Sequence, residues 1–198
     1  MLRRDIAGVA EYAGRLLALS GTHETFLGNR EGPLFQSWAV LHERREPATL
    51  AQLTEVLAQL DGSHMWAFLP YFMASGAEIL DALGDHERGA ALLERASELV
   101  TLTGEQWCEP EILRLRACLG VRDVDEATSL LLRSIELAQA QGAKLWELRS
   151  ATSLARHWLN EGRGAEARNL LAPVVSWFTE GADAADLRLA RSLLDELG

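Results

Sequence analysis

The chain has 198 residues and a mass of 21.8 kDa, enough for one domain with a sizeable core or for a short array of repeats. Its 36 leucines and 29 alanines, with few β-branched residues, are the composition of an all-α protein rather than of a disordered or β-rich one. The net charge of −10 is spread along the chain with no basic arm, which argues against a nucleic-acid partner, because such a partner needs a cationic surface to displace counterions.

The N-terminal run MLRRDIAGVAEYAGRLLALSG spaces its apolar residues helically and is interrupted by Asp5 and Glu11, unlike a signal peptide. No stretch reaches the ~18 uninterrupted apolar residues of a membrane span, so no membrane partner and a cytoplasmic location are expected. Ile6, Val9, Ala13, Leu16 and Leu17 make the first helical stripe. The segment SGTHETFLGNREGP, residues 20–33, reads as a loop or a broken helix because of its Gly-Pro step. Leu34, Phe35, Trp38 and Leu41 make a second stripe, and Leu50, Leu53, Val56, Leu57 and Leu60 a third that opens at Pro47. The fourth runs from Trp66 through Leu69, Phe72, Met73, Ala77, Leu80 and Leu83 and is closed by Gly84.

Asp85 is an expected N-cap for the fifth helix, which carries Leu92, Leu93, Ala96, Leu99 and Val100. Pro110 opens the sixth, with Ile112, Leu113 and Leu115. Asp123 and Glu126 have capping-box spacing ahead of Leu130, Leu131, Ser134 and Leu137. Leu145, Trp146, Leu148, Ala151, Leu154, Ala155 and Trp158 make the eighth stripe, and Ala167, Leu170, Leu171, Val174 and Phe178 the ninth. Pro173 lies inside the ninth, where a kink is expected. Leu187, Ala190, Leu193, Leu194 and Leu197 make the last.

These helices repeat. DGSHMW, TGEQW and QGAKLW end at Trp66, Trp107 and Trp146, and the small residues Gly89, Ala127 and Ala167 recur at nearly the same interval. A period near 40 with two helices per repeat is the signature of an α-solenoid, in which each helix pair buries its apolar face on the next. A small residue lets two helices approach, and the leucine four positions on (Leu93, Leu131, Leu171) fills the space between pairs.

The segments resemble tetratricopeptide repeats. Gly84, Asp85, Gly89, Leu93 and Ala96 fall on that family's turn and packing positions, as do Ala155, Trp158, Gly162, Ala167 and Leu171. The period is nearer 40 than 34, and the aromatic before the turn appears only as Trp158. Residues 45–198, with SATSLAR at Ser150–Arg156 and WFTEG at Trp177–Gly181, are similar to the C-terminal repeat region of large bacterial regulators that join a cyclase or DNA-binding domain to a signal-transduction ATPase. The resemblance implies a right-handed α-solenoid of about ten antiparallel helices in one domain over 1–198. Residues 1–46 form its less regular start, 47–181 the clear repeats and 182–198 a capping helix. It also implies the sensor and interaction end of such a system, without its ATP site, since no phosphate-binding loop occurs.

The expected function is therefore a non-enzymatic scaffold for a protein or peptide partner, or for self-association. The rival readings are a sensor of a small effector in the concave groove and an enzyme with a hidden acid/base site. In tetratricopeptide arrays the first helix of each pair lines the groove. That rule selects Tyr71, Ala74, Glu78 and Asp81, then Ile112 and Arg116, then Arg149, Thr152, Arg156 and Asn160. Arg149 and Arg156 are two turns apart and share a face, where guanidinium groups suit a carboxylate or phosphate, unless nearby acids such as Glu147 or Glu161 pair with them. Leu187, Leu193 and Leu194 are the candidates for a homodimer face, unless the helix only caps the array.

Little else in the sequence suggests chemistry. His23, His42, His64, His86 and His157 lack ligand spacing, so no metal or cofactor is expected. His86 is expected to pack and His157 to lie on the surface. Cys108 and Cys118 are expected as reduced thiols. Most of the six tryptophans are expected in the core, with Trp66 and Tyr71 the pair best placed for an aromatic pocket.

Overall fold

The computed structural model describes residues 4–22, 26–44, 47–61, 68–121 and 123–198. Among the described residues the chain is all-α, with no strand. Its helices are α1 (Ile6–Thr22), α2 (Phe26–Arg44), α3 (Pro47–Asp61), α4 (Leu69–Ala82), α5 (His86–Thr103), α6 (Glu109–Leu115), α7 (Val124–Ala140), α8 (Lys144–Asn160), α9 (Gly164–Ser176) and α10 (Ala185–Glu196). A π-helical turn, Arg116–Gly120, continues α6. No described helix is long and apolar enough to cross a membrane. The chain forms two compact units, Met1–Leu99 and Val100–Gly198.

In the first unit, α1 packs on α2, α2 on α3 and α3 on α4. Leu34, Leu41, Leu57, Leu69, Leu80, Leu93 and Leu99 are fully buried. The indole N–H of Trp38 donates to Ser75 Oγ at 2.5 Å, which satisfies the one polar atom that this buried aromatic carries. α5 approaches α4 at Gly89, where a Cβ would lie 3.2 Å from the carbonyl oxygen of Ala77, so the small residue there has a packing reason.

The expected break over residues 20–33 is largely a helix instead. α2 starts at Phe26 and runs through Gly32 and Pro33; residues 23–25 lie outside the described residues. The physical reason is tertiary contact. At Gly32 a Cβ would fall 2.8 Å from Leu17 Cδ2, so the α1–α2 packing holds the helix across a step whose local propensity opposes it. The expected helix start at Trp66 and the expected Trp66–Tyr71 pair also involve residues outside those described, and α4 opens at Leu69 with Pro70 in its first turn.

In the second unit α6 packs on α7, α7 on α8, α8 on α9, and α10 on both α8 and α9. The core is Leu131, Ile135, Leu148, Ala151, Leu154, Ala155, Ala167, Leu171, Leu187, Ala190 and Leu193 with their neighbours. Asp123 caps α7 by accepting the Glu126 N–H at 2.9 Å, and Asp85 caps α5 by accepting the Arg88 N–H at 3.3 Å, as their spacing implies.

Three helices end in one way. Gly84, Gly142 and Gly162 have φ of 83°, 65° and 78°. The next residue donates its N–H back to the carbonyl five positions earlier: Asp85 to Leu80 at 2.9 Å, Ala143 to Ala138 at 2.8 Å and Arg163 to Trp158 at 2.8 Å. This is the Schellman closure, which satisfies a carbonyl that the helix leaves without a partner and needs a left-handed residue. Pro173 does not end α9, which continues to Ser176; one lost backbone donor falls in the helix's last turn, where little helix remains to disrupt.

Candidate functional site

The second unit brings one face of α8 against two different surroundings. Arg149, Ser153, Arg156 and Asn160 follow at helical spacings along that face, with His157 at its edge. Toward the N-terminal end the face is closed over; toward the C-terminal end it opens into a cleft.

The closed half holds a chain of buried charges. Arg149 donates through Nε and Nη2 to Asp186 Oδ2 of α10, at 3.0 and 2.8 Å, and through Nη1 to Glu111 Oε1 of α6, at 3.1 Å. Glu111 also takes a two-pronged bond from Arg114, Nε to Oε2 at 2.8 Å and Nη2 to Oε1 at 3.0 Å. All four side chains are nine-tenths or more buried. Two cations face two anions, so each charge withdrawn from water is compensated. The indole of Trp146 lies under the Arg149 guanidinium at 5.1 Å. Beside this chain, Ser134 Oγ donates to the Pro110 carbonyl oxygen at 2.6 Å and lies 2.7 Å from Ser150 Oγ.

The open half is a cleft of about 270 Å³ between the π-turn, the start of α7 and the last two turns of α8. Its floor is apolar: Ala117, Val121, Ala127 and Leu131. Its rim carries Ser153, Arg156, His157, Asn160, Cys118 and Asp123. Arg156 Nη1 donates to Glu196 Oε2 at 2.6 Å, and both side chains remain about half exposed. Among the described residues His157 Nε2 is buried without a hydrogen-bond partner, and Glu161 Oε1 lies 4.0 Å from it. A π-turn adds one residue to a helical turn and recurs at binding sites because it re-aims the side chains around it. Here it places Ala117 and Cys118 in the lining.

The groove residues expected from the sequence therefore divide. Arg156 and Asn160 line the cleft. Arg149 does not: it is buried, paired with Glu111 and Asp186 rather than with Glu147 or Glu161. Thr152 is buried, with Oγ1 donating to the Leu148 carbonyl at 2.7 Å, a bond within its own helix. Ile112 is core, and Arg116 sits half-buried in the π-turn. In the first unit Tyr71 and Ala74 are buried. Glu78 accepts from Arg4 at 2.6 Å, and Asp81 Oδ1 lies 2.7 Å from His86 Nδ1.

His86 itself is exposed, which corrects the expectation that it packs; the turn leaves it over solvent beside Asp81. The surface expected for His157 is also corrected, since its ring is three-quarters buried against the cleft. Leu187 and Leu193 are core and Leu194 packs against it, because α10 spends its apolar stripe on α8 and α9. Of the tryptophans, Trp38 and Trp146 are core, whereas Trp177 is exposed with Lys144 Nζ 5.6 Å from its ring. His23, His64 and Trp66 lie outside the described residues.

Sequence reasoning missed Ser153, Cys118, Val121 and the buried acids Glu111 and Asp186. The spacing of Ser153 from Arg156 and Asn160 was a usable signal; nothing local marks the π-turn. Among the described residues, no three His, Cys, Asp or Glu side chains converge as a metal site would require. Comparison with protein-family models and with curated proteins returns no match.

Proposed function

We propose that the chain is a non-enzymatic helical-repeat module that binds a protein or peptide partner in the cleft of residues 100–198. Its setting in this reading is cytoplasmic, in a bacterial regulatory or signalling system. The architecture that goes with it is a right-handed α-solenoid of tetratricopeptide-like helix pairs with a period near 40. Three-residue connections between α7, α8 and α9, each with a left-handed glycine at its middle position, favour antiparallel neighbours. The same helix ending at Gly84 and Gly162, two periods near 40 apart, supports a repeated unit.

The observation that carries the binding reading is the cleft itself. An apolar floor ringed by Arg156, Asn160, Ser153 and His157 offers area for affinity and directed polar groups for orientation. A second reading, a sensor of a small effector, is favoured by the cleft's volume of about 270 Å³, at the small end for ligand sites.

Affinity selection from a library of short peptides tests the first reading. Selected peptides are expected to lose about tenfold or more in affinity on Arg156→Gln or Asn160→Ala, since each variant removes a directed, charge-assisted or amide contact. Peptides that bind both variants as tightly as the parent chain would contradict it. Turnover of a substrate lost on Glu78→Gln or Arg156→Ala would instead favour an enzyme.

A further inference from the structure

We propose that the cleft takes a small acid, one carboxylate on an apolar tail, and that this carboxylate replaces Glu196 on Arg156. The inference rests on the cleft being a binding site and names the chemistry of its occupant. Three observations carry it.

The first is the division of the lining. Ala117, Val121, Ala127 and Leu131 form a continuous apolar floor, and the polar groups Arg156, His157, Asn160 and Ser153 stand together on α8. An amphipathic ligand fits such a lining in one orientation, its tail on the floor and its head at α8. The second is charge. Among the described residues of the rim, Arg156 is the guanidinium and Asp123 the carboxylate, whose Oδ1 is engaged with the Glu126 N–H. A monoanion matches the charge of Arg156, whereas a phosphate dianion exceeds it and doubles the repulsion from Asp123.

The third is the occupant Arg156 already has. Its Nη1 holds one carboxylate oxygen of Glu196 at 2.6 Å, with both side chains substantially in solvent. Such a pair is weak, so a competing carboxylate that also covers apolar floor displaces it at small cost. Glu196 is the last residue of α10, so the exchange removes a polar tie between that helix end and α8 while Leu193 and Leu194 keep it packed. Occupancy of the cleft is thereby linked to the tethering of α10, the form of coupling a sensor needs.

The test titrates the full chain with octanoate, with 1-octanol as the uncharged analogue and octyl phosphate as the dianion, read by amide chemical shifts. Octanoate is expected to shift resonances over residues 117–131 and 153–160, and to bind about tenfold or more tighter than either comparator. Arg156→Gln is expected to erase the preference for octanoate over octanol. Glu196→Gln, which removes the internal competitor, is expected to tighten octanoate severalfold and leave octanol unchanged. Equal binding of octanoate and octanol, shifts confined to other segments, or no change in affinity on Glu196→Gln would each overturn the proposal. If octanoate fails while selected peptides bind in an Arg156-dependent way, the cleft remains a binding site and only the small acid is lost.

Discussion

Arg149 and Arg156 stand two turns apart on the same face of α8, and their consequences for stability are opposite in size. Arg149 joins Glu111 and Asp186 out of water, whereas Arg156 reaches Glu196 in it. Asp186→Ala leaves a buried guanidinium short of one anion and is expected to destabilise the chain by about 3–5 kcal/mol in urea unfolding. Arg156→Gln is expected to change stability by less than about 1 kcal/mol, as exposed pairs do. Equal effects would mean that the buried charges are not coupled as the distances imply. That the two arginines share a face was legible from their spacing. What covers the face was not, because Glu111 and Asp186 are 38 and 37 residues away in sequence and only the fold brings them in.

The cysteines divide in the same manner. Burial, with Glu111, Glu109 and Glu105 adding to it, pushes the Cys108 thiol up to about 12, while Cys118 is exposed on the π-turn. A disulfide reagent at pH 8 is expected to take one thiol from the folded chain and two from the unfolded one. The sign for stability follows from linkage. Above the unfolded value of 9.0 the unfolded chain releases the Cys108 proton and the folded chain keeps it. Stability contributed by the protonated thiol is therefore fully present below about pH 9 and lost as pH rises toward about 12. Cys108→Ala is expected to flatten that part of the profile; an unchanged slope would assign it to other groups.

Among the elements, chain punctuation was the most legible feature. Asp85 and Asp123 cap the helices their positions suggested, and Gly84 and Gly162 close the helices that precede them. These signals are local: a cap needs one side chain, and a Schellman turn needs one residue with positive φ. Gly162→Ala is expected to cost about 1 kcal/mol, because φ of 78° there is strained for any Cβ. Gly14→Ala is expected to stabilise by about 0.5–1 kcal/mol, since that glycine lies within α1 with no atom of the described residues near its missing Cβ. Thermal or urea unfolding of the two variants checks both signs. The passage of α2 through Pro33 and the π-turn after α6 were illegible, because the first is imposed by Leu17 of another helix and the second inserts one residue without a composition signal.

At the scale of the molecule, composition sufficed for the all-α class, and the helical periods located nearly every element. The division into Met1–Leu99 and Val100–Gly198 had no counterpart in the sequence, since α5 runs through the boundary without a composition change. The second unit holds its own core, its own buried charge chain and the cleft. The site was half legible: the helix face carrying Arg156 and Asn160 followed from spacing, but the floor depends on how the π-turn meets α7.

Hydrogen exchange of the full chain with and without a selected peptide tests the binding reading most directly. Protection is expected over residues 116–131 and 153–160, with the first unit unchanged and the effect lost in Arg156→Gln. Protection confined to other segments, or retained in full by that variant, would contradict the cleft as the place where this protein holds its partner.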